Sequence, residues 1–87
     1  MNELDNNIKD LLPEEAIPLL DKYISEHPED DEAYTLRGMK YWALGKRSLA
    51  INDYLAAIRI NPESKAKMAL QTANTILDYY NKDLLNP

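Results

Sequence analysis

DEAYTLRGMKYWALGKRSLAINDYLAAIRINPES, residues Asp31–Ser64, holds two helical segments joined at a glycine turn and closed by a proline. It begins inside an acidic run, Glu29–Glu32, that suits the positive end of a helix dipole. A helix is expected over about Asp31–Leu44, ended by Gly45 in a left-handed cap. Another is expected over about Ser48–Ile60, with Ser48 as its N-cap and Asn61-Pro62 as its stop. The chain has only two glycines, Gly38 and Gly45. No stretch alternates in the manner of a strand or carries a hairpin turn signal, so the expected fold is all-α.

The same stretch is one period of a longer pattern. A shift of 34 residues sets Ala16–Glu29 over Ala50–Glu63. Ala16 meets Ala50, Ile17 meets Ile51, Ile24 meets Ile58, Pro28 meets Pro62 and Glu29 meets Glu63. Average residue usage would give about one identity across such a window, so the period is a property of the chain. Leu20 and Tyr54 also match in size and character. Outward from the centre, a helix is expected over about Glu14–Glu26, with Ile17, Leu20, Tyr23 and Ile24 inward. Pro18 should fall in or just after its first turn, where a missing N–H costs little. A short leader is expected over about Asn2–Leu11, with Leu4, Ile8 and Leu11 on one face. The last helix, about Ser64–Asn81, carries an apolar stripe of Ala66, Ala69, Leu70, Ala73, Ile76, Leu77 and Tyr80. Its opposite face, Lys67, Gln71, Asn74 and Asp78, is polar, as a terminal cap requires.

A helix–turn–helix period of 34 residues resembles that of the tetratricopeptide repeat. Tyr34, Gly38, Tyr41, Gly45, Ala50, Tyr54, Ala57 and Pro62 stand at that family's signature spacing. The resemblance implies antiparallel helix pairs of an α-solenoid, with four main helices and a short N-terminal one. Gly38 and Ala50 would be small so that two helices approach closely, and the three tyrosines would fill gaps between helices. The chain then divides into a partial repeat (1–30), a full repeat (31–64), a capping helix (65–82) and a tail (83–87). Arg37 departs from the family, which often has leucine there. In the last helix a strict 34-residue register turns Gln71, Thr72 and Thr75 inward; a two-residue slip replaces them with Leu70, Ala73, Leu77 and Tyr80. The resemblance also implies a partner surface on the concave side, at Glu32, Thr35, Met39, Trp42 and Ala43. In the last helix it continues through Met68, Gln71, Thr75 and Tyr79. Members that clamp a peptide carboxylate need Lys, Asn and Arg there; Thr35, Leu36 and Met39 leave no such clamp. Trp42 and Met39 are its expected anchors, although Trp42 could instead lie against the leader as core. The tail, with Leu84 and Leu85, is expected either to fray or to fold back into this groove.

Eighty-seven residues allow one small domain. The net charge of −5 speaks against nucleic acid. It is unevenly spread: residues 1–32 hold eleven acids and two bases, residues 33–87 eight bases and four acids. The charged faces are expected to be solvated, or else to favour head-to-tail contact between copies. The absence of cysteine excludes disulfides and thiolate metal sites. His27-Pro28-Glu29 offers no metal-ligand spacing and is read as a helix end. The acidic run lacks the loop and central glycine of a calcium site. Ser25, Ser48 and Ser64 have no histidine partner. No catalytic residue, metal or cofactor is therefore expected. Neither a leader peptide nor a membrane span is visible, which points to a cytoplasmic protein. The expected function is binding of a protein or peptide; the alternative is a homodimer stacked through the open end of the first repeat.

Overall fold

The computed structural model describes residues 8–85, with side chains through residue 75. Among these there is no strand, and four α-helices follow in order: α1 (Pro13–Glu26), α2 (Asp31–Ala43), α3 (Arg47–Ile60) and α4 (Ala66–Leu85). Each packs on its neighbour in sequence, and α2 with α3 forms the most extensive pair. The body is elongated, 48 by 27 by 18 Å. Of the expected leader, residues 2–7 lie outside the described residues. Ile8 is helical and a turn follows it, in which the Leu11 N–H donates to the Ile8 carbonyl at 3.1 Å.

Helix α1 starts at Pro13, whose fixed φ suits a first position. Pro18 is therefore its sixth residue, later than the sequence reading placed it. The Glu14 carbonyl loses its usual donor there, but Glu14 is exposed and water can replace it. Ala16, Leu20 and Ile24 are buried, whereas the expected inward residues Ile17 and Tyr23 are only half-buried. The helix ends at His27, whose N–H donates to the Tyr23 carbonyl at 2.8 Å and whose ring stacks on Tyr23 at 4.3 Å.

The acidic run works as a helix start. The Asp30 carboxylate accepts from the Glu32 and Ala33 N–H groups at 3.0 and 3.3 Å. It also accepts from the Tyr23 hydroxyl at 2.8 Å, which ties α1 to the head of α2. Burial is the largest influence on this carboxyl and pushes its pKa up, but hydrogen bonds led by the Tyr23 hydroxyl outweigh it, and the pKa lies below its ordinary value. A depressed pKa stabilises the fold above the unfolded value and loses that contribution as pH falls through the folded one. Asp30→Ala is accordingly expected to cost about 1 kcal/mol in urea unfolding at pH 7. The deficit should be complete above the ordinary value of 3.8 and shrink below it. A deficit independent of pH would sink the assignment to the carboxylate.

Gly45 has φ +77°. Its N–H donates to the Trp42 carbonyl and the Lys46 N–H to the Tyr41 carbonyl, both at 2.9 Å, which is a Schellman ending. That ending launches α3 at once, because the Lys46 carbonyl already accepts from the Ala50 N–H at 3.0 Å. Ser48 thus lies inside the first turn and is not the N-cap expected of it; Lys46 holds that place without a side-chain cap. At the head of α4 the Ser64 hydroxyl accepts from the Ala66 N–H at 3.1 Å, so the helix begins two residues after its expected start. It runs on to Leu85, and Leu84 and Leu85 extend it instead of folding back. Ala66 and Ala73 are buried, Ala69 and Leu70 half-buried, and Lys67, Gln71 and Asn74 exposed, in keeping with the two-residue slip. The side chains of Ile76, Leu77, Asp78, Tyr79 and Tyr80 lie outside the described residues.

Two apolar clusters form the core. The first joins Ile8, Ala16, Leu20 and Leu36, with Leu11 packed on it. The second joins Ala50, Tyr54, Ala57 and Ala66, with Tyr34, Tyr41, Trp42 and Ile58 among those around it. The 34-residue shift relates the two: Ile8 over Ala16 and Leu20 corresponds to Trp42 over Ala50 and Tyr54. Between the clusters sits Arg37. Its Nε and Nη2 donate to the two carboxylate oxygens of Asp53, and its Nη1 donates to Asp21, all at 2.8 Å. One side chain on α2 therefore clips α1 and α3. Its guanidinium also lies 5.6 and 5.9 Å from the ring centres of Tyr34 and Tyr41.

Candidate functional site

Two hollows meet at Met39. The first, about 300 Å³, lies between the N-terminal half of α2 and the 61–65 connection; Glu32, Thr35, Leu36 and Met39 face Glu63 and Ser64 across it, with Lys9 at one side. The second, about 280 Å³, lies between α2 and α4, where Met39 and Trp42 face Ala69, Thr72 and Ala73 above Tyr54. The helix repeat places residues 32, 35 and 39 on one side of α2, which is why one helix lines both hollows.

Their chemistry differs. The floor of the first hollow is a hydroxyl pair: Thr35 and Ser64 are 8% and 5% exposed, their oxygens 3.2 Å apart, and the Thr35 hydroxyl also bonds to the Asp31 carbonyl at 2.9 Å. Thr35 is thus a wall more than a contact residue. The second hollow is mainly apolar. Trp42 is half-buried on the α3–α4 cluster, not against the leader, and the Arg47 guanidinium lies 5.2 Å from its ring centre. Met39 remains 53% exposed.

The structure brings together Glu32, Thr35, Met39 and Trp42 of the expected surface. It does not bring Ala43, Met68, Gln71 or Thr75 to either hollow. Those four are exposed elsewhere, and the Thr75 hydroxyl donates to its own helix at the Gln71 carbonyl. Tyr79 lies outside the described side chains. The sequence reading missed the far wall, Asn61 through Lys65, because it took Asn61-Pro62 only as a stop. A signal was present: the polar Glu63-Ser64-Lys65 directly before an apolar stripe marks a cap that faces neighbouring helices.

No protein-family model, curated protein or solved structure matches the chain. Its chemistry must therefore be read from the groove itself. Among the described residues no group of three or more histidine or carboxylate side chains is arranged to hold a metal ion. Among them, too, no helix is long and apolar enough to cross a membrane.

At one side of the groove, residues 8–11 are held at three points: Ile8 is fully buried, Leu11 packs on the same cluster, and the Lys40 ammonium donates to the Lys9 and Leu11 carbonyls, each at 2.9 Å.

Proposed function

We propose that the chain is a non-catalytic interaction module of the tetratricopeptide type, with its helices in antiparallel pairs, that holds a segment of a partner protein against Met39. The observation that supports this best is the position of Met39 at the junction of both hollows while more than half exposed. An adaptable thioether beside a tryptophan suits an apolar anchor. The exposed Glu32 and Glu63 carboxylates line the same hollow and offer polar contacts. Stacking into a homodimer has less support. Ile8 and Leu11 already cover the face of α1 that a second copy would fill, and α4 turns Lys67, Gln71 and Asn74 to solvent.

The test is affinity capture from native extract with three chains side by side: wild type, Met39→Glu, and Leu55→Glu on α3. Leu55 is 45% exposed and lines neither hollow. A partner retained by wild type and Leu55→Glu, and weakened at least about tenfold by Met39→Glu, is expected. The reverse pattern moves the interface to α3 and overturns the reading. Trp42→Ala is the poorer probe, because Trp42 also packs on the core.

A further inference from the structure

We propose that Thr35 and Ser64 are positioning residues that hold the head of α4 at a fixed distance from α2 and thereby set the width of the hollow at Met39 and Trp42. The hydrogen bonds around the pair have only one arrangement. A serine or threonine hydroxyl has a single proton to give. That of Thr35 goes to the Asp31 carbonyl at 2.9 Å, so the bond between the two hydroxyl oxygens, at 3.2 Å, is donated by Ser64. Ser64 in turn accepts from the Ala66 N–H at 3.1 Å. The result is a directed chain, from the Ala66 amide through Ser64 and Thr35 to the backbone of α2. Both side chains are buried, so neither trades this partner for water unless the site opens.

Among the described residues, little else ties α4 to α2. Each helix packs on its neighbour in sequence, and Ala66 belongs to the cluster around α3. The other polar link from α2 to the 61–65 connection, the Asn61 amide donating to Asp31, is longer at 3.4 Å. Ser64 stands 34 residues after Asp30, and the two differ in one respect. Both cap the helix that follows by accepting from its first N–H groups. The Asp30 carboxylate only accepts, and it takes a hydroxyl proton from Tyr23 on the preceding helix. Ser64 also gives, and it reaches past α3 to α2. Held at that distance, α4 presents Ala69, Thr72 and Ala73 to Met39 and Trp42. The use of the groove rests on the function proposed above; its width does not.

The chain has no cysteine, so spin labels can be placed in pairs at chosen sites. Ala43→Cys with Gln71→Cys reports α2 against α4, and Ala43→Cys with Arg59→Cys reports α2 against α3. All three positions are exposed and line neither hollow. Pulsed electron spin resonance then compares wild type, Thr35→Val, Thr35→Ser and Ser64→Ala in the full chain without a partner. Thr35→Val nearly keeps the side-chain shape and leaves the Ser64 cap in place, but strands the Ser64 proton. Room for a water to take that proton parts the helices by about 1–2 Å, which is the lengthening expected between α2 and α4. Ser64→Ala is expected to broaden the same distribution, Thr35→Ser to retain the wild-type one, and the α2–α3 distance to stay fixed throughout. An unchanged α2–α4 distribution in either Thr35→Val or Ser64→Ala overturns the positioning role. Equal lengthening in Thr35→Ser assigns the effect to the lost methyl group, and a changed α2–α3 distance assigns it to a general loss of packing; each overturns the role as well. Because no partner is present, a failed capture at Met39 leaves this result untouched.

Discussion

Arg37→Leu is expected to lower stability by about 3 kcal/mol, and Asp53→Leu added to the same chain is expected to restore most of it. The repeat family that the sequence resembles often has leucine at this place, so the single change looks benign in the sequence. The structure reverses that judgement. The Asp53 side chain is 8% exposed, and both of its oxygens accept from Arg37. Removing the guanidinium leaves a carboxylate out of water with its main partner gone. Such breakage costs about 3–5 kcal/mol in buried pairs, and the lower end applies because Arg37 is itself 19% exposed. The Asp53 hydrogen bonds are the largest influence on Arg37 and raise its pKa above the ordinary value against the effect of burial, with Asp21 adding to them. The guanidinium therefore stays charged. The Asp21 contact adds little, since that carboxylate is 53% exposed. Replacing both Arg37 and Asp53 by leucine removes the desolvated charges together, which is commonly neutral or favourable. Urea unfolding of the two single variants and the double variant measures this. A double variant as unstable as Arg37→Leu alone would show that packing around Arg37, and not the stranded carboxylate, sets the cost.

The same pair shows where the sequence was legible and where it was not. The helix order, the turn at Gly45 and the stop at Pro62 follow from local rules, because glycine at positive φ and proline without an N–H act through their own backbone. The 34-residue period was legible because apolar positions recur at fixed spacing. Arg37–Asp53 was not read, yet Asp53 lies beside Tyr54 and midway between Ala50 and Ala57, on the face the pattern turns inward. A carboxylate there required a cation on the facing helix, and Arg37 was the residue out of pattern. The groove was legible on α2, where Glu32, Thr35 and Met39 follow helical spacing, and illegible across from it. Which residues of α4 and of the 61–65 connection face Met39 depends on where α4 begins. Ser64 sets that start through a hydrogen bond and not through a residue pattern. Ser48 failed as a cap for the complementary reason: the Schellman ending of α2 had already used the space.

Gly38→Ala is expected to destabilise by about 2 kcal/mol, lowering the melting temperature by roughly 10 °C. Propensity alone argues for the opposite result, since alanine exceeds glycine in a helix interior by about 1 kcal/mol. Crowding decides the sign. A methyl group at position 38 would sit 2.6 and 2.8 Å from ring carbons of Tyr54 and 3.1 Å from the Ala50 carbonyl oxygen. Tyr54 is 3% exposed, so its ring has little room to retreat, and relief must come from moving α2 away from α3. That movement loosens the most extensive helix pair in the molecule, and it shifts the neighbouring Met39 at the groove. Tyr54→Leu supplies the control, because Leu20 already occupies the equivalent position over Ala16 in the first cluster. In a Tyr54→Leu background the ring is gone and Gly38→Ala should become neutral or mildly stabilising. The cycle of four chains gives a coupling of about 2–3 kcal/mol if the ring is the obstacle. Equal cost in both backgrounds would place the obstacle at the Ala50 carbonyl, and the close approach of α2 and α3 would then be limited by backbone against backbone.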